Sequence, residues 1–168
     1  MENIQTERPY LVFVYGSLKR NEYNNAVLTE NASVYCGDAV TSKKYLLFGG
    51  IFPKLYRKQD MLPEHLMRYK RYLGRVRGEL WRVDANGLLA LDRLEGYPTH
   101  YTRNVVLAEK ADKTTRQPWA YCIVRPPYTS SPLIEPAKDG TLAWHSPRVE
   151  RLNPFRERKA EAVKPDRR

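Results

Sequence analysis

Tyr10-Leu-Val-Phe-Val-Tyr15 is an unbroken apolar run closed by Gly16. A run this short, rich in β-branched and aromatic side chains and ended by glycine, reads as a strand buried on both faces. Such a strand needs partners at both edges and cover on both sides, so the rest of the chain has to supply them.

It has the segments to do so. Strands are expected in parts of Val34–Phe48 and of Gly50–Arg57, the second interrupted by Pro53, which suits an edge or a bulge. Gly74–Asp84 is β-rich, with Val76 and Leu80 on one face. The apolar phase shifts at Trp81 and Val83, which predicts a bulge there. Tyr101–Glu109 and Pro118–Arg125 read as two more strands joined by the polar turn Lys110–Gln117, with Trp119, Tyr121 and Ile123 sharing a face. Helices are fewer: a short one around Asn25–Thr29, one from Pro63 to Tyr69 within an exposed excursion at 58–73, and Asn86–Glu95. Asp84 or Asn86 can cap the last, and Gly96 followed by Pro98 stops it. Strands outnumber helices and the connections suit antiparallel pairing, so the class is α+β.

After Pro126-Pro127 the periodicity dissolves through Pro132, Pro136 and Pro147, and a short helix is expected near Arg156–Ala162. The expected organisation is a leader at 1–9, one domain at 10–147 and a basic tail at 148–168.

Helix Asn86–Glu95 carries an oddly placed carboxylate. At about 100° per residue, Leu88, Leu91 and Glu95 fall on one stripe, flanked by Leu89 and Leu94. A carboxylate short of water has a raised pKa, and the C-terminal end of the helix dipole adds to that. Glu95 is thus a candidate proton-transfer group, although at a frayed end it could also bend into water. Asp92, near the same stripe, is the other candidate, but it more easily reaches a neighbouring cap or an Arg.

Tyr15-Gly16-Ser17-Leu18 follows the buried strand directly. Glycine there permits a sharp turn and frees successive backbone N–H groups to face a carboxylate or an oxyanion. Alone, the segment reads first as a plain turn, and it is neither of the common nucleotide-binding glycine motifs. Ser17 has no evident His-Asp partners for a serine nucleophile.

The formal charge is +10, and residues 43–77 hold ten basic side chains against Asp60 and Glu64. Tyr45, Tyr56, Tyr69 and Tyr72 are interleaved with them, the pattern of a surface for nucleic acid or an acidic partner; a merely solvated basic face is the bland alternative. Cys36 and Cys122 are too isolated for a metal motif and are read as two reduced, half-buried thiols. His65, His100 and His145 lack partners at ligand spacing, so no metal is expected. No apolar run reaches membrane-spanning length and the N-terminus is acidic, so the expected location is cytoplasmic, with no membrane.

Three blocks in order resemble the γ-glutamyl cyclotransferase-like family, which includes γ-glutamylamine cyclotransferases and AIG2-like proteins. They are Val12-Phe-Val-Tyr-Gly-Ser-Leu-Lys19, Val76-Arg-Gly-Glu-Leu-Trp-Arg-Val-Asp84, and Leu91-Asp-Arg-Leu-Glu-Gly-Tyr-Pro98 with Tyr101-Thr-Arg103. Ile51-Phe-Pro53 resembles a smaller motif found between them, and the likeness is strongest over 10–125. It implies a compact, mostly antiparallel or mixed β-barrel with flanking short helices. It also implies a small-molecule γ-glutamyl substrate, cleavage with release of 5-oxoproline, and no cofactor. By the same resemblance Glu95 is the catalytic base and acid, and Gly16, Ser17 and Leu18 hold the substrate through their amides. Tyr15 lines the cavity, and Tyr101 adds a phenol unless it is an ordinary core residue. The rival reading keeps the fold and makes it a nucleic-acid- or protein-binding module; another amide or amine chemistry in the same cavity is a further one.

Overall fold

The computed structural model describes residues 7–124 and 131–147. The expected tail with its helix at Arg156–Ala162 and residues 1–6 of the leader lie outside the described residues.

The apolar run forms β1 (Tyr10–Val14). It pairs antiparallel with β4 (Gly74–Val83), from Tyr10 against Val83 to Val14 against Glu79. On its other edge it runs parallel to β8 (Trp119–Ile123), Val12 against Trp119. The other elements are α1 (Ala26–Glu30), β2 (Val34–Phe48), β3 (Lys54–Arg57), α2 (Pro63–Tyr69), α3 (Ala85–Glu95), β5 (Tyr101–Val105), β6 (Ala108–Lys110), β7 (Thr115–Arg116) and β9 (Thr141–Leu142). The sheet order is β5-β8-β1-β4-β2-β6-β7, with β3 added to β2 and β9 to β4. β3 also comes against β8, so this mixed sheet curls back on itself. The architecture is the expected α+β one, a curled sheet with short helices beside it.

Both faces of the sheet are buried, as the opening run requires. Phe13, Tyr15, Leu47, Val76, Leu80, Ala120, Cys122 and Trp144 fill one core, inside the curl. Val12, Val14, Trp81, Val83, Tyr121 and Ile123 fill the other, where Leu28 of α1, Tyr69 of α2, and Leu88 and Leu91 of α3 cover them. Burying each such leucine contributes about 1.5–3 kcal/mol.

This two-sided burial corrects the reading of β4. Its pairing with β1 runs without a break. The phase shift at Trp81 and Val83 marks residues that face the second core. The bulge belongs to β2, where Cys36 is extra between the pairs Tyr35–Trp81 and Gly37–Leu80. Pro53 precedes β3 and does not interrupt it. The expected strand Tyr101–Glu109 is divided: β5 pairs with β8, then the chain crosses so that β6 pairs with β2. Both cysteines are free, but Cys122 is fully buried and only Cys36 half-buried.

Three of the four tyrosines interleaved in the basic stretch leave the expected binding surface; Tyr72 stays half-buried with Arg71 stacked on its ring. Tyr45, Tyr56 and Tyr69 are 6%, 4% and 7% exposed, so they are core residues with no face open to stack on a base. Arg57, Arg75 and Arg77 pair with Asp60, Glu109 and Asp139. Among the described residues, no helix is long and apolar enough to cross a membrane.

Candidate active site

Helix α3 is built as its sequence dictates. Asp84 Oδ1 accepts from the Gly87 N–H at 2.7 Å, which caps the first turn. Gly96 closes the last turn in the left-handed conformation, φ 62°. Leu88 and Leu91 anchor one stripe in the core while Leu89 and Leu94 stay exposed. Glu95, on the stripe of Leu88 and Leu91, is held over a cavity of about 450 Å³. Burial drives its carboxyl up to about 7, the range in which a group both takes and gives protons near neutrality. Among the described residues it has no ion-pair partner.

The loop after β1 forms another wall. Tyr15, Gly16, Ser17 and Leu18 all line the cavity. The loop is pinned from behind: Lys19 N–H donates to Gly16 O at 3.0 Å and Asn24 N–H to Ser17 O at 2.9 Å. Asn25 Nδ2 donates to Leu18 O at 2.8 Å, and Asn24 Nδ2 to Ser17 Oγ at 2.9 Å. Among the described residues, no turn bond uses the amides of Gly16, Ser17 or Leu18 as donors, which suits them to a ligand. The hydroxyl oxygen of Ser17 is thus held by an asparagine.

Tyr101 lines the same cavity, at 4% exposure, and donates to Pro53 O at 3.1 Å. Tyr15 donates to Tyr121 O at 2.6 Å. Burial is the largest cause raising both phenols, with the negative charge of Glu95 a further contributor. All six residues singled out from sequence therefore meet at one cavity.

Asp92 is spoken for elsewhere. It accepts from Tyr121 Oη at 2.6 Å and lies 3.2 Å from Arg103 Nε, an ion pair out of line for a hydrogen bond there. The Arg103 guanidinium is itself stacked over Tyr97 and Trp119, 4.5 and 4.3 Å from the ring centres. The two carboxylates of one helix thus divide: Asp92 is tied into structure and Glu95 is left over the cavity.

Sequence reasoning missed Lys54, His100, Tyr121 and Ser131, which also line it. Lys54 follows the quoted Ile51-Phe-Pro53 segment and could have been drawn in with it. Ser131 carries no signal, because it lies in a proline-rich region without periodicity. A second cleft, of about 630 Å³, holds Arg20, Arg75, Arg77, Glu79, Glu109 and Asp139. Those charges are largely paired with one another, so it offers weaker grounds for a site.

The family model described as gamma-glutamyl cyclotransferase, AIG2-like, matches residues 12–144. A Methanocaldococcus jannaschii protein provisionally named gamma-glutamylcyclotransferase is 32% identical over 95 residues, 56% of this chain and 68% of that one. A Drosophila melanogaster protein of the same provisional name is 35% identical over 115 residues, 67% of this chain and 68% of that one. In fold, the crystal structure of an AIG2-like protein from Mus musculus is similar with a TM-score of 0.59 at 23% identity, covering 80% of this chain and 94% of the mouse one.

Proposed function

The chain belongs to the gamma-glutamyl cyclotransferase, AIG2-like family, and from that premise we propose that it is an enzyme cleaving a γ-glutamyl amide by internal attack. Glu95 is the proton carrier in this reading. The observation that carries it is a carboxyl lifted to about 7 by burial, sharing one cavity with Gly16, Ser17 and Leu18, whose amides donate no turn hydrogen bond among the described residues.

The chemistry asks for no protein nucleophile. The substrate folds so that its α-nitrogen faces its own γ-carbonyl, and holding that geometry is a large part of the acceleration. Ionised Glu95 takes a proton from the α-ammonium. The freed amine attacks the γ-carbon and closes a five-membered ring. The oxyanion is held by the loop amides. Glu95 then gives that proton to the departing nitrogen as the old C–N bond breaks, takes the second proton from the ring nitrogen and passes it to the freed amine, so 5-oxoproline and an ammonium leave and Glu95 is ionised again. Tyr15 and Tyr101 spend their hydroxyl protons on Tyr121 O and Pro53 O, so their part is to shape the cavity.

The test is a panel of γ-glutamyl amines, γ-glutamyl amino acids and γ-glutamyl isopeptides, read by release of 5-oxoproline. Release from at least one class is expected. No release from any would remove the assignment.

A further inference from the structure

Leu91 is the last buried residue of α3, and no other is buried until Tyr101. Leu94 is 41% exposed, so the final helical turn has no apolar anchor. Yet Glu95 lines the cavity, and burial, with no neighbouring charge, governs its carboxyl. The titratable groups around it are Tyr15, Tyr101 and Tyr121, with Lys54 and His100 in the same cavity. The seating of the last turn therefore decides how much water reaches the carboxyl.

Strand β5 supplies the missing anchor. Side chains alternate along a strand, so Tyr101 and Arg103 leave β5 on one face. Tyr101 lines the cavity, while Arg103 reaches the end of α3. Its Nε lies 3.2 Å from Asp92 Oδ1, and its guanidinium lies over the Tyr97 ring at 4.5 Å. Asp92 and Tyr97 stand on either side of Glu95 in the chain, so one guanidinium touches both flanks of the carboxyl. The guanidinium also rests over Trp119 of β8 at 4.3 Å, and that indole stacks on Tyr10 of β1. Tyr121 Oη donates to Asp92 and the Val124 N–H to His100 O, but each holds one flank alone.

Stability alone is a poor reason for this arginine. Nε and Nη1 are buried and make no hydrogen bond among the described residues. A buried ion pair so short of hydrogen bonds stabilises little, and its better use is to fix one arrangement. A flat guanidinium can lie on rings, which a lysine ammonium does less well.

We propose that Arg103 is a positioning residue that holds the Glu95 carboxyl over the cavity, through Asp92 on one side and Tyr97 on the other. Its importance for turnover rests on the reaction proposed above.

The experiment follows the Glu95 carboxyl of the full-length protein by carbon-13 NMR as pH is varied, with Glu95→Gln identifying the signal. The native midpoint should lie near 7. In Arg103→Met it should fall by about one unit or more, because a loosened turn admits water. Loss of a cation that acted through space would move it up instead. Pairing Arg103→Met with Asp92→Asn avoids an unpaired buried carboxylate, and Tyr97→Leu removes one contact at a site 38% exposed. Both should move the midpoint down, the second by less. Arg103→Lys keeps the charge beside Asp92 without the flat contact and should recover only part of the shift. In 5-oxoproline release above the native midpoint, Arg103→Met should lose roughly tenfold or more in kcat, with KM changed less. A midpoint unmoved or raised would overturn the proposal, even if the variant had lost thermal stability. So would full recovery by lysine, a native midpoint at the ordinary glutamate value, or a kcat unchanged while the midpoint falls. If the native protein released 5-oxoproline from no γ-glutamyl compound, the reaction itself would fall, and the titration would still decide whether Arg103 holds Glu95.

Discussion

Gly16 and Pro53 are packed so closely that a Cβ on Gly16 would overlap the Cγ of Pro53. The contact joins the loop after β1 to the segment that leads into β3, and both walls of the cavity depend on it. Gly16→Ala should cost about 1–3 kcal/mol, the usual range for overpacking. Pro53→Ala removes the Cγ and leaves only a Cβ, which stands at 3.7 Å. The cost of Gly16→Ala should therefore shrink in that background. Urea unfolding of both single variants and the double variant measures the coupling, and strict additivity would contradict the packing argument.

In the proposed reaction, only ionised Glu95 takes the substrate's proton. With its carboxyl at about 7, kcat/KM for 5-oxoproline release should fall about tenfold per pH unit below that point. A bound α-ammonium favours the ionised form, so the inflection in kcat should lie lower than that in kcat/KM. Glu95→Gln should lose at least about 10²-fold in turnover and lose the acid limb, with substrate binding largely kept. Near-native turnover in that variant would refute the role of Glu95.

The same carboxyl makes a stability prediction that needs no substrate. Its pKa is raised from 4.5 when unfolded to about 7 when folded. The contribution to stability is fully present below the unfolded value and is lost as pH rises through the folded one. At pH 8 the native protein therefore carries a penalty of about 1–3 kcal/mol, kept below the full shift because Glu95 is only half-buried. Glu95→Gln should melt higher than the native protein at pH 8 and close to it at pH 4. Equal differences at both pH values would show that the carboxyl is not desolvated.

Local signals were legible in the sequence where local chemistry decides them. The run Tyr10–Tyr15, the Asp84 cap and the Gly96 stop each specify their element within a few residues. The stripe of Leu88, Leu91 and Glu95 put the carboxyl over the cavity for the same reason. What was hidden depends on distant partners. Asp92 is excluded from the site by Tyr121 and Arg103, residues no helical wheel of α3 contains. Tyr45, Tyr56 and Tyr69 sit among basic residues in sequence, yet the curl of the sheet turns them inward. Strand β9 has two residues in a proline-rich stretch, and only its pairing with Arg75 and Val76 makes it a strand.

Trp144, two residues beyond β9, extends that last point to the site. It is 1% exposed, and its indole donates to Gly50 O at 2.9 Å. Its own carbonyl accepts from Lys19 Nζ at 2.7 Å. One residue from the region without periodicity thus ties down both loops that frame the cavity. Trp144→Ala should cost about 3–5 kcal/mol through the void alone. Trp144→Phe keeps most of the ring but leaves Gly50 O without its donor, for about 1–3 kcal/mol. Because Gly50 belongs to the cavity wall, the phenylalanine variant should also raise KM for a turned-over γ-glutamyl amide, by more than it lowers kcat. Thermal melts alongside steady-state kinetics separate the two effects, and a loss of stability with KM unchanged would mean that Trp144 supports the core without setting the loop.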